Sequence, residues 1–187
     1  MVDPGDDAPR ILDAIWQLHL HITHILLTHA HFDHMLAVRE IAQATGADLL
    51  VPLEDEPALA DSKLSLVHKK STLVSHPLKA DRLLSDGDTV EAGELVIHVL
   101  HTPGHTRGSS CYQCENLLLT GDTLFHGCVG RTDFPGGSMR AMAASMSRLS
   151  QLKDDYTVLP GHKTLTTLSQ EKRYNPYMVQ PDRDDDV

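Results

Sequence analysis

At 187 residues with 41% hydrophobic content, the chain is long enough for a single core that buries about 70% of the surface exposed when it unfolds. A formal charge of −10 and a pI near 5.6 argue against a nucleic-acid groove, which needs a concentrated basic face, and Lys69-Lys70 is too short a run to provide one. No window approaches the about 18 apolar residues of a spanning helix, and Met1-Val2-Asp3-Pro4 lacks the basic and apolar regions of a leader. No membrane partner is therefore expected and the location is read as cytoplasmic, which an odd count of three cysteines fits.

In chain order, Asp6 or Asp7 caps a first helix that carries Pro9 in its opening turn, with Ile11, Leu12, Ile15 and Trp16 as the apolar stripe. Residues 22–27 form a strand. Residues 35–45 form a helix with Leu36, Ile41 and Ala44 inside and Gly46 as its stop. A short strand follows at 49–51, then an excursion over 52–77 that lies across the rim of the site. Residues 83–100, with turns at Asp86-Gly87-Asp88 and Ala92-Gly93, and 109–120, with a turn at Glu115-Asn116, give consecutive antiparallel strands. A helix over 138–152, a strand over 157–159 and a helix over 165–174 complete one domain, 1–176. Residues 177–187, with the acidic run Asp182-Arg183-Asp184-Asp185-Asp186, form a solvated, disordered tail.

The chemistry concentrates in Thr28-His29-Ala30-His31-Phe32-Asp33-His34, three imidazoles and a carboxylate directly after the apolar Ile25-Leu26-Leu27. In extended backbone, residues two apart point the same way, so His29 and His31 can grip one ion while Asp33 and His34 face a second. Three later segments each end an apolar run and a sharp turn with one potential ligand: His105 in Thr102-Pro103-Gly104-His105, Asp122 in Leu119-Thr120-Gly121-Asp122, and His162 in Leu159-Pro160-Gly161-His162. Residues just past strand ends are where open sheets carry their chemistry, so these loops converge on one rim. Alone, His105, Asp122 and His162 are ordinary turn residues; with the dense motif they make a metal site.

The remaining histidines receive the opposite reading. His19, His21, His24, His68, His76, His98 and His101 lack ligand spacing, and only His126, shortly after Asp122, borders the pocket. Cys111 and Cys114 have the C-x-x-C spacing of redox or zinc motifs but no second pair, and are read as sheet residues. Cys128, in the glycine-containing loop after Asp122, lines the pocket without a catalytic part. Arg131 has two readings: a bidentate partner for a substrate carboxylate, or a local salt bridge with Asp133.

Together, THAHFDH, TPGHT, LTGDTLF and LPGHK resemble the metallo-β-lactamase-fold hydrolase superfamily, and within it the small relatives of glyoxalase II, hydroxyacylglutathione hydrolase. The resemblance implies an α/β (α+β) chain in an αββα sandwich, two mixed sheets flanked by helices. It assigns His29, His31 and His105 to a first metal, Asp33, His34 and His162 to a second, and Asp122 to both, with Asp3 in support. Two zinc ions are expected, and iron or manganese suits the same ligands. Asp33 and Asp122 are the expected catalytic carboxylates. A metal-bridging hydroxide would attack an acyl carbon, since even one bound zinc lowers the pKa of water from about 15.7 to about 7. The partner is a small acyl substrate, foremost a thioester; the antibiotic-cleaving members are generally exported, which lowers that activity here, and the helical extension with which glyoxalase II holds glutathione is not matched.

Relatives open with additional strands before their equivalent of Val2-Asp3-Pro4-Gly5, so the resemblance implies missing N-terminal strands. A shortened gene model, or a strand supplied by another copy in a homo-oligomer, would account for them. Two rival readings follow. Persulfide dioxygenases of this fold use one iron on two histidines and one aspartate, here His29, His105 and Asp122; an inactive, truncated metal-binding fragment is the other.

Overall fold

The computed structural model describes residues 1–67 and 72–179, which form two compact units, Met1–Leu84 and Ser85–Val187. His68, Lys69-Lys70 and the acidic run at 182–186 lie outside the described residues.

The first unit is built on three parallel strands, β1 (His24–Leu26), β2 (Asp48–Pro52) and β3 (Arg82–Leu84), in the order β1-β2-β3. Helices α1 (Ala8–Gln17) and α2 (Val38–Thr45) pack on it, burying Ala8, Ile15, Val38 and Ile41 against Ile25, Leu27, Leu49 and Val51. Leu26, Leu50 and Leu84 are buried as completely, and strands buried on both faces explain the unbroken apolar runs of the sequence. Asp7 caps α1 by accepting from the Arg10 N–H, and Gly46 ends α2 at φ 74, a left-handed conformation that glycine enters without penalty. Phe32–His34 and Leu53–Leu59 are 3-10 turns, and α3 (Thr72–Ser75) is one short turn. Val2 bridges Leu26 in parallel, which carries Asp3 alongside the end of β1.

The second unit contains β4 (Thr89–Ala92), β5 (Leu95–His101), β6 (Ser110–Cys114), β7 (Leu117–Gly121), β8 (Leu124–Phe125), β9 (Cys128–Val129), α4 (Met139–Ser150), β10 (Thr157–Pro160), β11 (Thr166–Thr167), α5 (Leu168–Tyr174) and α6 (Pro176–Val179). Its main sheet has the order β11-β10-β7-β6-β5-β4; β4 to β7 are antiparallel neighbours and β10 runs parallel to β7. A parallel neighbour needs a crossover, and α4 provides it. Met142, Met146 and Leu149, spaced along one stripe of α4, are fully buried with Cys111, Leu118 and Val158. Since β5, β7 and β10 run the same way, their C-terminal ends share one edge of this sheet. His105, Asp122 and His162 each follow one of those ends.

The α/β class with helix-flanked sheets is as expected. Several boundaries differ. Residues 82–84 do not begin the antiparallel series: they pair in parallel with β2, held where Asp81 Oδ2 accepts from the Leu49 N–H at 2.8 Å. The helix expected from 35 starts at Val38 because the 3-10 turn at Phe32–His34 intervenes. The helix expected from 165 starts at Leu168, since Thr166 and Thr167 pair with β10 and the Thr167 hydroxyl caps the helix. Trp16 is 60% exposed, because Ile11, Leu12 and Ile15 occupy the inward face of α1. Residues 177–179, placed in the tail by the sequence, are helical, with Met178 buried. Among the described residues, no helix is long and apolar enough to cross a membrane.

Candidate metal centre

In the first unit the chain leaves β1 into the histidine motif, and one carboxylate organises it. Asp3 Oδ1 accepts from the Thr28 N–H at 2.7 Å, and Oδ2 accepts from the Thr28 hydroxyl at 2.6 Å and from His34 Nδ1 at 2.9 Å. A carboxylate only accepts, so His34 carries its proton on Nδ1 and its lone pair on Nε2. The Thr28 hydroxyl has spent its proton on Asp3 and therefore accepts from His29 Nδ1, 3.1 Å away, which fixes the lone pair of His29 on Nε2 as well. The rings of His29 and His31 lie 4.7 Å apart and those of His29 and His34 4.1 Å, with all three residues buried. Asp33 is exposed, its Oδ2 3.9 Å from His34 Nε2. Asp3, His29 and His34 each bring a ligand atom within 4.8 Å of the others, but the hydrogen bonds of Asp3 make it a support for the histidines.

The loop is pinned from two more directions. Asp55, buried in the 3-10 turn after β2, accepts from the Ala30 N–H at 3.0 Å. A Cβ at Gly5 would stand 2.2 Å from the Asp33 carbonyl oxygen, so only glycine lets the two segments approach.

The second unit orients its ligands with backbone. His105 Nδ1 donates to the Arg131 carbonyl oxygen at 2.7 Å, which leaves the lone pair on Nε2, 3.5 Å from Asp122 Oδ2. His162 Nε2 stands 3.7 Å from the same Oδ2. One carboxylate oxygen is thus flanked by two imidazole nitrogens, the arrangement a shared ligand requires. Close approach again depends on glycine: a Cβ at Gly130 would fall 1.9 Å from the Asp122 carbonyl oxygen, and one at Gly104 2.6 Å from the Met142 backbone.

Neutral imidazole lone pairs and carboxylate oxygens are donors for zinc, iron or manganese. The residues present fit such ions. In each unit the orientation of at least one ring is held from its far nitrogen by a carboxylate or a backbone carbonyl, which is how metal-binding histidines are aimed.

The model of the metallo-β-lactamase superfamily matches residues 1–162. The chain belongs to this superfamily. Hydroxyacylglutathione hydrolase GloC of Haemophilus influenzae is 32% identical over 182 residues, covering 95% of this chain and 86% of that protein. Among solved structures, the B3 metallo-β-lactamase BLEG-1 superposes with a TM-score of 0.84 at 34% identity, covering 95% of this chain and 87% of the other. A di-iron-bound form of TTHA1623 superposes with a TM-score of 0.82 at 34% identity over 94% and 87%. This chain therefore has the fold and the metal-dependent hydrolase ancestry of the superfamily.

The other residues singled out in the sequence make local contacts. The Arg131 guanidinium closes in a bidentate pair on Asp133 at 2.7 and 2.6 Å and lies 3.9 Å over the Phe134 ring. This is the local salt bridge that one of the two readings expects, and it holds the Asp133 carboxyl down at about 2. His126 spends its nitrogens on Thr164 Oγ1 at 3.3 Å and the Gln170 amide at 2.9 Å. Cys111 and Cys114 are buried sheet residues, and burial pushes the Cys111 thiol up to about 11. Sequence reasoning missed Asp55, because nothing in Glu54-Asp55-Glu56 distinguishes an inward carboxylate from its solvated neighbours.

Proposed function

We propose that the chain is a binuclear metal-dependent hydrolase of small thioesters, of the hydroxyacylglutathione class, with zinc ions as the first candidates and iron as the second. His29, His31 and His105 would hold one ion, Asp33, His34 and His162 the other, and Asp122 both. The observation that carries the binuclear reading is Asp122 Oδ2, set 3.5 and 3.7 Å from the Nε2 atoms of two histidines from different loops. The choice of thioester rests on the likeness to GloC, and the di-iron form of TTHA1623 keeps iron open.

Bound ions would supply an acidified water as nucleophile and a Lewis acid for the carbonyl oxygen. The chain's own part is orientation and proton movement. Asp3 holds His34 directly and His29 through Thr28, with the Nε2 lone pairs of both rings forward, and the Arg131 carbonyl does the same for His105. Asp33, with an exposed carboxylate beside His34, takes the proton of the attacking water and returns it to the departing sulfur.

The test compares metal-loaded protein on a hydroxyacylglutathione thioester, a simple lactone and a cephalosporin. Thiol release that exceeds the other two rates supports the reading. A faster cephalosporin reaction would replace the thioester by a β-lactam. Asp33→Asn with both ions retained is expected to lower turnover about 100-fold, the low end for general acid–base catalysis; unchanged turnover would remove Asp33 from proton transfer.

A further inference from the structure

We propose that Cys128 and Lys163 form a reversible oxidative cross-link, a sulfur–nitrogen bond made after peroxide converts the Cys128 thiol to a sulfenic acid. Both belong to the second unit: Cys128 opens β9 and Lys163 lies in the loop after β10. Lys163 Nζ lies 2.7 Å from Cys128 Sγ, at the short end of the about 2.7–3.2 Å range of N–H···O bonds although sulfur is the larger atom. The pair needs little further movement to bond.

The surroundings hold both partners in place. Lys163 has φ 72, a left-handed backbone conformation that side-chain-bearing residues seldom adopt and that marks sites under constraint. Its Nζ also lies 5.5 Å over the Phe125 ring. Cys128 faces Phe125 across the β8–β9 pair, and its carbonyl oxygen accepts from the buried Asn175 amide at 3.1 Å. The β8–β9 hairpin and the loop after β10 are also tied by His126 to Thr164 and by the packing of Phe125 on His162, whose ring centroids are 6.2 Å apart.

Chemistry separates Cys128 from the other cysteines. It is partly exposed beside a basic side chain, the setting in which thiols oxidise selectively, whereas Cys111 and Cys114 are buried. Attack of Cys128 sulfur on peroxide breaks the O–O bond, leaving Cys–SOH and water; sulfur is oxidised by two electrons and the peroxide reduced. The Lys163 nitrogen then attacks the sulfenyl sulfur and the S–O bond breaks as the S–N bond forms. The ammonium sheds two protons, one to the departing hydroxyl, which leaves as water, and one to solvent. Two equivalents of a thiol reverse the link, returning amine and thiol and becoming a disulfide. The link would brace the loop that carries His162 against the hairpin after Asp122.

The experiment treats the metal-loaded full chain with hydrogen peroxide, alkylates the remaining thiols, digests it and maps the peptides by mass. The expected product joins the Cys128 and Lys163 peptides at a mass two hydrogens below their sum, and thiol reductant dissolves it. Lys163→Arg and Cys128→Ser abolish it. Oxidation of Cys128 to a sulfinic acid or a disulfide while Lys163 still accepts an acylating reagent would overturn the proposal, as would a joined pair that retains an oxygen atom. The mapping of the unsubstituted chain decides the question even where a variant fails to fold.

Discussion

The two units prepare their ligands by different means. In Met1–Leu84 a side chain does the aiming: Asp3 reaches His34 directly and His29 through the Thr28 hydroxyl. In Ser85–Val187 the backbone does it: the Arg131 carbonyl fixes His105, and Gly130 lets the chain lie against the Asp122 carbonyl. A side-chain support can be removed by an isosteric substitution that leaves the fold in place. A backbone support can be removed only by moving the chain, so damage to orientation and damage to folding are separable in the first unit and merged in the second.

That difference can be broken at its sharpest point first. Asp122→Asn keeps the shape but weakens the shared oxygen, and turnover is expected to fall more than about 100-fold, beyond the 10–100-fold typical of supporting residues; a kinetic assay with metal content measured alongside checks it. Gly130→Ala puts a methyl where the Asp122 carbonyl oxygen lies 1.9 Å away, and overpacking of this kind costs about 3 kcal/mol. Denaturant unfolding should show the loss, with metal affinity declining in step. Wild-type stability in that variant would mean the loop has slack that the contact denies.

Asp3→Asn is the matched experiment in the first unit. The amide cannot accept from Thr28 and His34 as a carboxylate does, so metal affinity should fall about 10–100-fold while unfolding stays cooperative at a midpoint near that of the unsubstituted chain. If stability falls as far as in Gly130→Ala, the contrast between the units disappears.

Much of this was legible in the chain. The cap at Asp7, the stop at Gly46 and the turn at Glu115-Asn116 are local events written in a few residues. Each candidate ligand stands at the end of an apolar run, and the structure puts it just past a strand. What the sequence hid depends on distant partners. Residues 82–84 look like a hairpin strand until β2 claims them, and Thr166 and Thr167 look helical until β10 does. The tautomers of His29, His34 and His105 follow from Thr28, Asp3 and the Arg131 carbonyl, and no spacing rule shows which nitrogen each partner will occupy. Arg131 looked as ready for a substrate as for Asp133, and only the folded loop shows its fork engaged.

The smallest expected effect belongs to that exposed pair. Arg131 holds the Asp133 carboxyl at about 2, below its ordinary 3.8, so the pairing contributes above the ordinary value and is lost as pH falls through the folded value. Both side chains are exposed, so solvent screens the contribution: Arg131→Ala should return the Asp133 titration, followed by NMR, to near 3.8, with only a slight loss of stability above about pH 5. A large loss at neutral pH would show that the loop depends on the pair.

Metal stoichiometry on chain purified without chelator shows whether two ions share Asp122. Two divalent ions per chain are expected, with the loss of both, or of their mutual spectroscopic coupling if they are iron, in Asp122→Asn. One iron per chain, retained when His34 and His162 are replaced, would contradict it and leave a mononuclear centre.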